Sequence, residues 1–167
     1  PEAEPMSHEM PTDSTDRILV QRADFSLGEE YERLATRHDS GAIVTFVGKV
    51  RDFNQGDAVK GLSLEHYPGM TEKALVDIVN QARARWPLQE CTLIHRIGDL
   101  LLGDQIVLVA VSSAHREAAF EACHFIMDFL KTRAPFWKKE LTAEGIQRWV
   151  EAKQSDDAAA ARWRQDP

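Results

Sequence analysis

A single amphipathic segment, Ser113 to Glu140, constrains the fold of this chain more than any other stretch. Between Ala118 and Leu130 the apolar residues recur at helical spacing, which predicts a half-buried helix whose apolar stripe faces the core. Ser113 is the expected N-cap of this helix. Pro135 is expected to end it, because proline disfavours helical geometry in the residue that precedes it.

Basic side chains flank this helix at both ends. His115 and Arg116 lie at its start, where backbone N–H groups and side-chain donors can receive a phosphate; an ordinary exposed helix start fits equally well. Lys131 lies in the last turn and Lys138 follows Pro135, so a chain that doubles back brings both amines into one anion pocket. In the alternative interpretation, the lysines only complement the helix dipole and occupy a solvated strand face.

The length of the helix limits how its two ends can be used. Arg116 and Lys131 are about 22 Å apart along the helix axis, given the rise of ~1.5 Å per residue. One copy of the helix therefore cannot bring both ends into one small pocket. If both ends serve the same site, that site is shared between two subunits of an isologous dimer.

Signals along the rest of the chain predict an α+β domain, with helices packed on a mostly antiparallel sheet. Strands are predicted at 17–22, 42–51, 62–67, 92–97, 105–111 and 146–151, and two more helices at 26–37 and 71–86. The strands at 42–51 and 62–67 suggest a hairpin with a long polar tip at 52–60. The strand at 105–111 is apolar throughout, as expected of a central strand, and the GDLLLGD segment before it is predicted to be a turn.

Two caps and two boundaries complete this prediction. Ser26 and Glu29 form a capping box at the start of the first helix, and Thr71 is expected to cap the second. A chain of 167 residues is long enough for one core, so we expect one folded domain at 17–151. Residues 1–16 are expected to be a disordered N-terminal arm, and residues 152–167 a C-terminal tail or helix.

Composition excludes several classes of function. The net charge of −7 argues against a broad surface for nucleic acid, so any basic cluster is local. The two cysteines, Cys91 and Cys123, lack the spacing of a disulfide scaffold or a zinc site. The apolar run Ile106–Val111 is far shorter than the ~20 residues of a membrane span, and the chain shows no secretory signal. We therefore expect a reduced, cytoplasmic protein with no metal.

Other residues that could carry chemistry give weaker signals. Lys49 and Arg51 share one face of their predicted strand by simple alternation. His66 and His95 lie on predicted strands, where a histidine is more often structural than catalytic. The sequence contains no Ser/His/Asp order and no P-loop. The basic groups around the helix are therefore the main candidates for a functional site.

Five segments, in order along the chain, carry a resemblance to a known family. They read GAIVTFVGKVR, LEHYPGMTEKAL, IHRIGDL, VSSAHR and FIMDFLKTRAPFWKKE. From about Phe25 to Val150 the chain resembles the large, catalytic subunit of molybdopterin synthase. Several independent segments are more specific than any single motif.

The resemblance implies a sulfurtransferase of molybdenum cofactor biosynthesis. Such an enzyme converts cyclic pyranopterin monophosphate into molybdopterin, with sulfur from the C-terminal thiocarboxylate of a small ubiquitin-like subunit. It further implies a homodimer at the centre of a heterotetramer, and no cofactor of its own. A basic pocket in an acidic protein suits these two anionic reactants.

The resemblance also assigns residues. Lys131 and Lys138 are the implied catalytic residues. The implied substrate contacts are Lys49, Val50, Arg51, His115, Arg116, Lys139 and Glu140. Two other functions remain open: a non-catalytic dimeric scaffold that docks the tail of a ubiquitin-like partner through Phe136 and Trp137, and a regulatory module that binds phosphate.

Overall fold

The computed structural model describes residues 16–51, 59–142, 147–150 and 154–164, which form two four-stranded sheets packed with helices. The helices are α1 (Leu27–Ala35), α2 (Met70–Arg85), α3 (Arg116–Arg133) and α4 (Gln154–Ala161). The strands are β1 (Asp16–Gln21), β2 (Ala42–Lys49), β3 (Val59–His66), β4 (Cys91–Arg96), β5 (Gly98–Leu101), β6 (Gln105–Ser113), β7 (Phe136–Thr142) and β8 (Gln147–Val150). Among the described strands every pair except β1 with β4 is antiparallel, which confirms the predicted α+β class.

The first sheet has the strand order β1-β4-β6-β2, and both faces of its strand β6 are buried. On β6, Val107, Val109 and Val111 join the main core with α2 and α3. Leu108 and Ala110 point to the other face and pack with the α1 residue Leu34 in a second core cluster. The prediction of an apolar central strand is confirmed, because β6 lies between two strands and has apolar neighbours on both sides.

The second sheet has the order β5-β3-β7-β8, and it corrects the predicted hairpin. β2 pairs along its length with β6, whereas β3 pairs with β5 and β7, so the strands expected to form one hairpin lie in different sheets. Alternation fixes the face of each side chain but not the partner of the strand. β5 was also missed, since the segment predicted as a turn contains a short strand between Gly98 and Gly103, both with positive φ.

Two predicted caps have other roles in the structure. The N-cap of α3 is His115, because Ser113 lies in β6 and its hydroxyl donates a hydrogen bond to the Pro87 carbonyl. α2 begins after Gly69, and Thr71 is buried in its first turn. The capping role of Ser26 in α1 is confirmed by its acceptance of the Glu29 N–H.

Thr71 connects the start of α2 to the corner between α3 and β7. Its hydroxyl oxygen accepts a hydrogen bond from the Tyr67 N–H at 2.9 Å and donates one to the Pro135 carbonyl at 2.9 Å. Ala134 is extended, so α3 ends before Pro135 as predicted, and β7 begins at the next residue. The corner that separates Lys131 from Lys138 is thus held by a helix from a distant part of the sequence.

The chain after β8 packs back on α3 through Asp128. The Asp128 carboxylate accepts hydrogen bonds from the Arg162 guanidinium and from Trp163 Nε1, the latter at 2.7 Å. The Trp163 ring meets Trp86 and Phe125 edge to face, with centroids 5.6 and 5.5 Å away. Residues 1–15 of the arm expected at 1–16, and residues 52–58 of the expected loop tip, lie outside the described residues. Asp16 was wrongly assigned to the arm, because it is the first residue of β1.

Candidate active site

The two predicted catalytic lysines lie near the buried histidine His95. Lys131 lies in the last turn of α3 and Lys138 in β7, directly after the corner at Pro135. Burial lowers the pKa of His95 to about 3, and the positive charges of Lys131, Lys138 and His66 add to this effect. His95 is therefore neutral at pH 7. A single protomer brings both lysines to this site.

The imidazole ring of His95 is held in place by one aromatic contact and one backbone contact. Its ring stacks on Phe136, with centroids 3.8 Å apart and planes 16° from parallel. Its Nδ1 lies 2.8 Å from the Arg96 carbonyl oxygen, a contact that holds the ring in place. His95 therefore has the structural role predicted for a strand histidine. Its position beside both lysines was not predicted, because no feature of the sequence points to it.

The register of β7 against β3 decides which face each lysine occupies. Lys138 pairs with Leu64 and Glu140 with Leu62, and both leucines are buried in the core. Paired residues of neighbouring strands point to the same face, so Lys138 and Glu140 lie on the core face. Lys139 lies on the opposite face, where its Nζ is 3.4 Å from the Glu65 carboxylate. Of the predicted residues in β7, Lys138 and Glu140 thus share the inner face.

The predicted contacts at the end of β2 divide into two exposed cations and one core residue. Lys49 and Arg51 are exposed, while Val50 between them is only 2% exposed and belongs to the main core. The Val50 N–H donates to the Asp104 carbonyl at 2.8 Å, and the Val50 carbonyl accepts from the Gly103 N–H at 2.7 Å. Val50 thus holds its two neighbours in position, and its side chain is not at the surface of the protomer.

The end of β2 lies at the same end of the sheet as His95, the residue near Lys131 and Lys138. Gly48 pairs with Val107 on β6, and Val107 pairs with His95 on β4, so the three residues form one row across the sheet. Two strand spacings of ~4.8 Å separate β2 from β4 in such a row. Gly48 is therefore about 10 Å from His95 across the strands, and Lys49 follows Gly48 at the same end of the sheet.

His115 and Arg116 line a separate pocket at the start of α3. The pocket has a volume of about 650 Å³, and its other lining residues are Gly41, Ala114, Glu117, Phe120 and Glu121. Gly41 is required here, because a Cβ at this position would overlap the carbonyl oxygen of Ala114. The close approach of the two backbones brings the start of β2 beside the start of α3.

One protomer does not bring the two basic groups together. α3 follows β6 and packs back across β6 and β2, so it runs in the same general direction as β2. The last turn of α3 therefore lies toward the end of β2, and its first turn toward the beginning. Arg116 and Lys131 belong to one continuous helix and are about 22 Å apart along it.

The remaining candidate groups, His66 and the two cysteines, are paired or buried in this structure. His66 Nε2 lies 3.3 Å from the Glu72 carboxylate. Both thiols are buried: burial raises the pKa of Cys123 to about 12 and that of Cys91 further. Within the described ranges no three His, Cys, Asp or Glu side chains are grouped to hold a metal, and no helix is long and apolar enough to cross a membrane.

Comparisons with known proteins show which family the chain resembles. The family described as MoaE protein matches residues 20–133. The molybdopterin synthase catalytic subunit of Vibrio cholerae is 66% identical over 147 residues, which cover 88% of this chain and 97% of the relative. Among solved structures, the molybdopterin biosynthesis MoaE protein of Burkholderia ambifaria is 50% identical with a TM-score of 0.76, covering 90% of this chain and 99% of that one.

A further similar structure is a complex of two different subunits. A protein–protein complex of subunits 1 and 2 of the molybdopterin-converting factor of Helicobacter pylori matches with 25% identity and a TM-score of 0.65. The match covers 84% of this chain and 92% of that one. The sequence match spans most of the chain, and the fold agrees with those of the solved relatives. The chain therefore belongs to the MoaE protein family.

Proposed function

We propose that this chain is the catalytic subunit of a molybdopterin synthase. It moves sulfur from the C-terminal thiocarboxylate of a small ubiquitin-like subunit onto cyclic pyranopterin monophosphate and so forms the dithiolene of molybdopterin. The observation that carries this proposal is the convergence of Lys131 and Lys138 on the neutral, buried His95. The high identity to relatives named as catalytic subunits supports it.

The chemistry of the reactants explains why lysines are suited to this site. Both the cyclic phosphate and the thiocarboxylate are anions, and they have to approach each other before sulfur can be transferred. Lys138 neutralises the thiocarboxylate or the phosphate as its ring opens, because a cation is most effective where negative charge collects. Lys131 acts as an acid/base or holds an intermediate. Because His95 is neutral, it adds no positive charge beside the two lysines.

The other predicted contacts serve to bind the phosphate. Arg51, His115 and Arg116 supply its donors, and Arg is suited to phosphate because its planar guanidinium forms paired hydrogen bonds. Lys49, Lys139 and Glu140 are assigned as further substrate contacts. The ion pair between Lys139 and Glu65 places the Lys139 amine on the face of β7 opposite that of Lys138.

Two copies of the chain share each site in this proposal. The basic group at the start of α3 and the lysines at its end are too far apart to meet in one protomer. A homodimer that supplies His115 and Arg116 from one subunit and Lys131 and Lys138 from the other resolves this separation. A small subunit bound to each large subunit completes a heterotetramer, and the Helicobacter pylori complex supports such a partner.

The test of activity combines this protein, a thiocarboxylated small subunit and cyclic pyranopterin monophosphate, and measures molybdopterin. We expect product from the wild type and almost none from Lys131→Ala, with unchanged affinity for the small subunit. Lys73→Ala, an exposed position on α2, is the matched control and should be fully active. Failure of the wild type to form product despite a stable complex would favour the non-catalytic scaffold.

The test of the shared site mixes two inactive proteins. In a random mixture of His115→Ala and Lys131→Ala subunits, half of the dimers are mixed, and each mixed dimer has one intact site. Activity should therefore recover to about a quarter of the wild-type value. Complete absence of recovery under conditions where subunits exchange would show that each protomer works alone.

A further inference from the structure

His66, at the end of β3, is a partly buried histidine that the proposed function leaves without a task. Its side chain is 17% exposed, and its Nε2 lies 3.3 Å from the Glu72 carboxylate in the first turn of α2. Among the described residues, its other ring nitrogen, Nδ1, has no hydrogen-bond partner. In a neutral imidazole whose Nε2 carries the proton toward a carboxylate, Nδ1 has the free electron pair of a base.

The Glu72 carboxylate is held in place independently of His66. One of its oxygens accepts a hydrogen bond from the Gly69 N–H at the start of α2, in the manner of a capping box. The start of a helix also favours negative charge, because its backbone N–H groups point outward there. A carboxylate held in this way can orient an imidazole and stabilise it when it accepts a proton, as the acidic member of a catalytic triad does.

His66 lies on the same face of the second sheet as Lys138. It pairs with Phe136 on β7, two residues before Lys138, so the His66 and Lys138 side chains are diagonal neighbours. Neighbours of this kind are ~7 to 8 Å apart. The protonated form of His66 lowers the pKa of His95, as the two lysines do, and the His95 ring stacks on Phe136. The imidazole of His66 therefore borders the site that contains both lysines.

Transfer of sulfur from a thiocarboxylate to a carbon atom has two stages. In the first stage the sulfur bonds to the substrate carbon, and it is then joined to the acyl carbon of the small subunit as well, which makes a thioester. In the second stage the acyl–sulfur bond has to break, so that the sulfur stays on the substrate. Water can supply the oxygen that replaces the sulfur, and a base that removes a proton from this water accelerates its attack.

We propose that His66, oriented by Glu72, is the base that activates this water. The water oxygen bonds to the acyl carbon while Nδ1 takes one proton. The acyl–sulfur bond then breaks, and its electron pair leaves with the sulfur as a thiolate on the substrate. The carboxylic acid on the small subunit ionises and releases the second proton, and the partly exposed imidazole returns the first one to solvent. The inference rests on the proposed function, because it assigns a residue to a later step of the same reaction.

A single-turnover reaction with thiocarboxylated small subunit and cyclic pyranopterin monophosphate separates the two stages. In His66→Gln the first stage is retained, so a covalent adduct of the small subunit and the pterin should accumulate and be visible by intact-protein mass spectrometry. The adduct should break down about 100-fold more slowly than in the wild type, the typical contribution of a general base. His38→Gln, at an exposed histidine after α1, is the matched control and should behave as the wild type. A His66→Gln protein that accumulates no adduct, whether active or not, would overturn the inference.

Glu72→Gln tests the orienting residue without removing the helix cap. Glutamine keeps an oxygen for the Gly69 N–H, because capping boxes accept either residue, and only the charge beside His66 is lost. The adduct should accumulate here as well, to a smaller extent than in His66→Gln. Affinity for the small subunit and the midpoint of urea unfolding should match those of the wild type. Adduct breakdown at the wild-type rate in this folded variant would contradict the role of Glu72.

The pH profile is a readout that a purely structural histidine would leave unchanged. Breakdown of the adduct by the wild type should slow as the pH falls from about 8 to 5, because a protonated imidazole cannot accept another proton. Breakdown by His66→Gln should lack this decline. The other titratable groups beside His66 or on its face of the sheet, which both proteins retain, are Glu72, His95, Lys131, Lys138 and Glu140. Parallel profiles would show that a group other than His66 is the base.

The outcomes separate this inference from the proposed function. A wild type that forms molybdopterin, beside a His66→Gln protein that accumulates no adduct, overturns the role of His66 and leaves the synthase activity standing. A wild type that forms neither adduct nor product overturns the proposed function and this inference together.

Discussion

Lys138 and Lys139 are adjacent in the sequence but lie on opposite faces of β7. Lys138 shares the core face with Leu62 and Leu64, and its charge acts on His95. Lys139 lies on the outer face near Glu65. The strand therefore separates two lysines that the amino-acid pattern alone treats as equivalent.

The first prediction compares these neighbours. Lys138→Ala should lower the rate of product formation by at least about 100-fold, the typical contribution of a positioned acid, base or charge. Lys139→Ala should change it by less than about 10-fold, because its partner Glu65 is exposed and such ion pairs contribute little. Single-turnover assays with saturating small subunit measure both. Equal losses would mean that the face of β7 does not decide function.

The second prediction concerns pH. The pKa of His95 is lowered to about 3 in the fold, against ~6.5 in an unfolded chain, so the unfolded state binds the proton more readily. Its contribution to stability is complete above about pH 6.5 and is lost as the pH falls toward 3. His95→Phe keeps an aromatic ring over Phe136 and cannot be protonated.

Urea unfolding between pH 7 and pH 4 measures this difference. The free energy of unfolding of the wild type should fall more steeply than that of His95→Phe, by up to ~1.4 kcal/mol per pH unit. Other titrating groups are common to both proteins and cancel in the comparison. Parallel curves would show that His95 is protonated equally in both states.

The third prediction concerns Gly41. Gly41→Ala should destabilise the fold by about 1 to 3 kcal/mol, because the added Cβ overlaps the Ala114 carbonyl and overpacking typically costs this much. The displaced backbone carries His115, so affinity for the phosphate substrate should fall as well. Gly28→Ala is the matched control: its Cβ would meet only the Ser26 hydroxyl at 3.8 Å, so we expect no loss of stability. Urea unfolding and substrate titration separate the two effects.

The fourth prediction concerns the C-terminal helix. Asp128→Ala should cost about 1 to 3 kcal/mol, because it removes the carboxylate that accepts hydrogen bonds from the Trp163 indole N–H and the Arg162 guanidinium. Asp157→Ala, at an exposed position of α4, should have little effect. Limited proteolysis together with unfolding curves tests the pair, and we expect Asp128→Ala to be cut near α4 first. Identical digestion of both variants would show that Asp128 does not hold α4 against α3.

The sequence predicted those parts of the fold that depend on local periodicity. The apolar run of β6 and the stripe of α3 were recognisable because burial on two faces or on one face leaves a direct pattern. The partner of β2 was not, since pairing with β6 rather than β3 is decided by contacts far apart in the sequence. Ser113 and Thr71 resembled helix caps in the sequence. In the folded chain their hydroxyls instead donate hydrogen bonds to the carbonyls of Pro87 and Pro135.

Some features of the candidate site could be predicted from the sequence and others could not, for related reasons. Helix length alone indicated that the two ends of α3 cannot meet, and the structure retains that separation. The roles of Lys131 and Lys138 were predicted from the resemblance to a family. Lysines at the end of a helix and on a strand are common on protein surfaces, so their positions alone do not indicate a function. The inward direction of Lys138 depends on the register with β3, which the sequence does not encode locally.

The corner between Lys131 and Lys138 determines how this site meets its ligands. Pro135 has a fixed φ, and its carbonyl is held by Thr71 from the buried first turn of α2. The spacing of the two backbone segments that carry Lys131 and Lys138 is therefore set before any ligand binds. Because this backbone spacing does not have to form anew for each reactant, the same arrangement meets a second sulfur donor as meets the first.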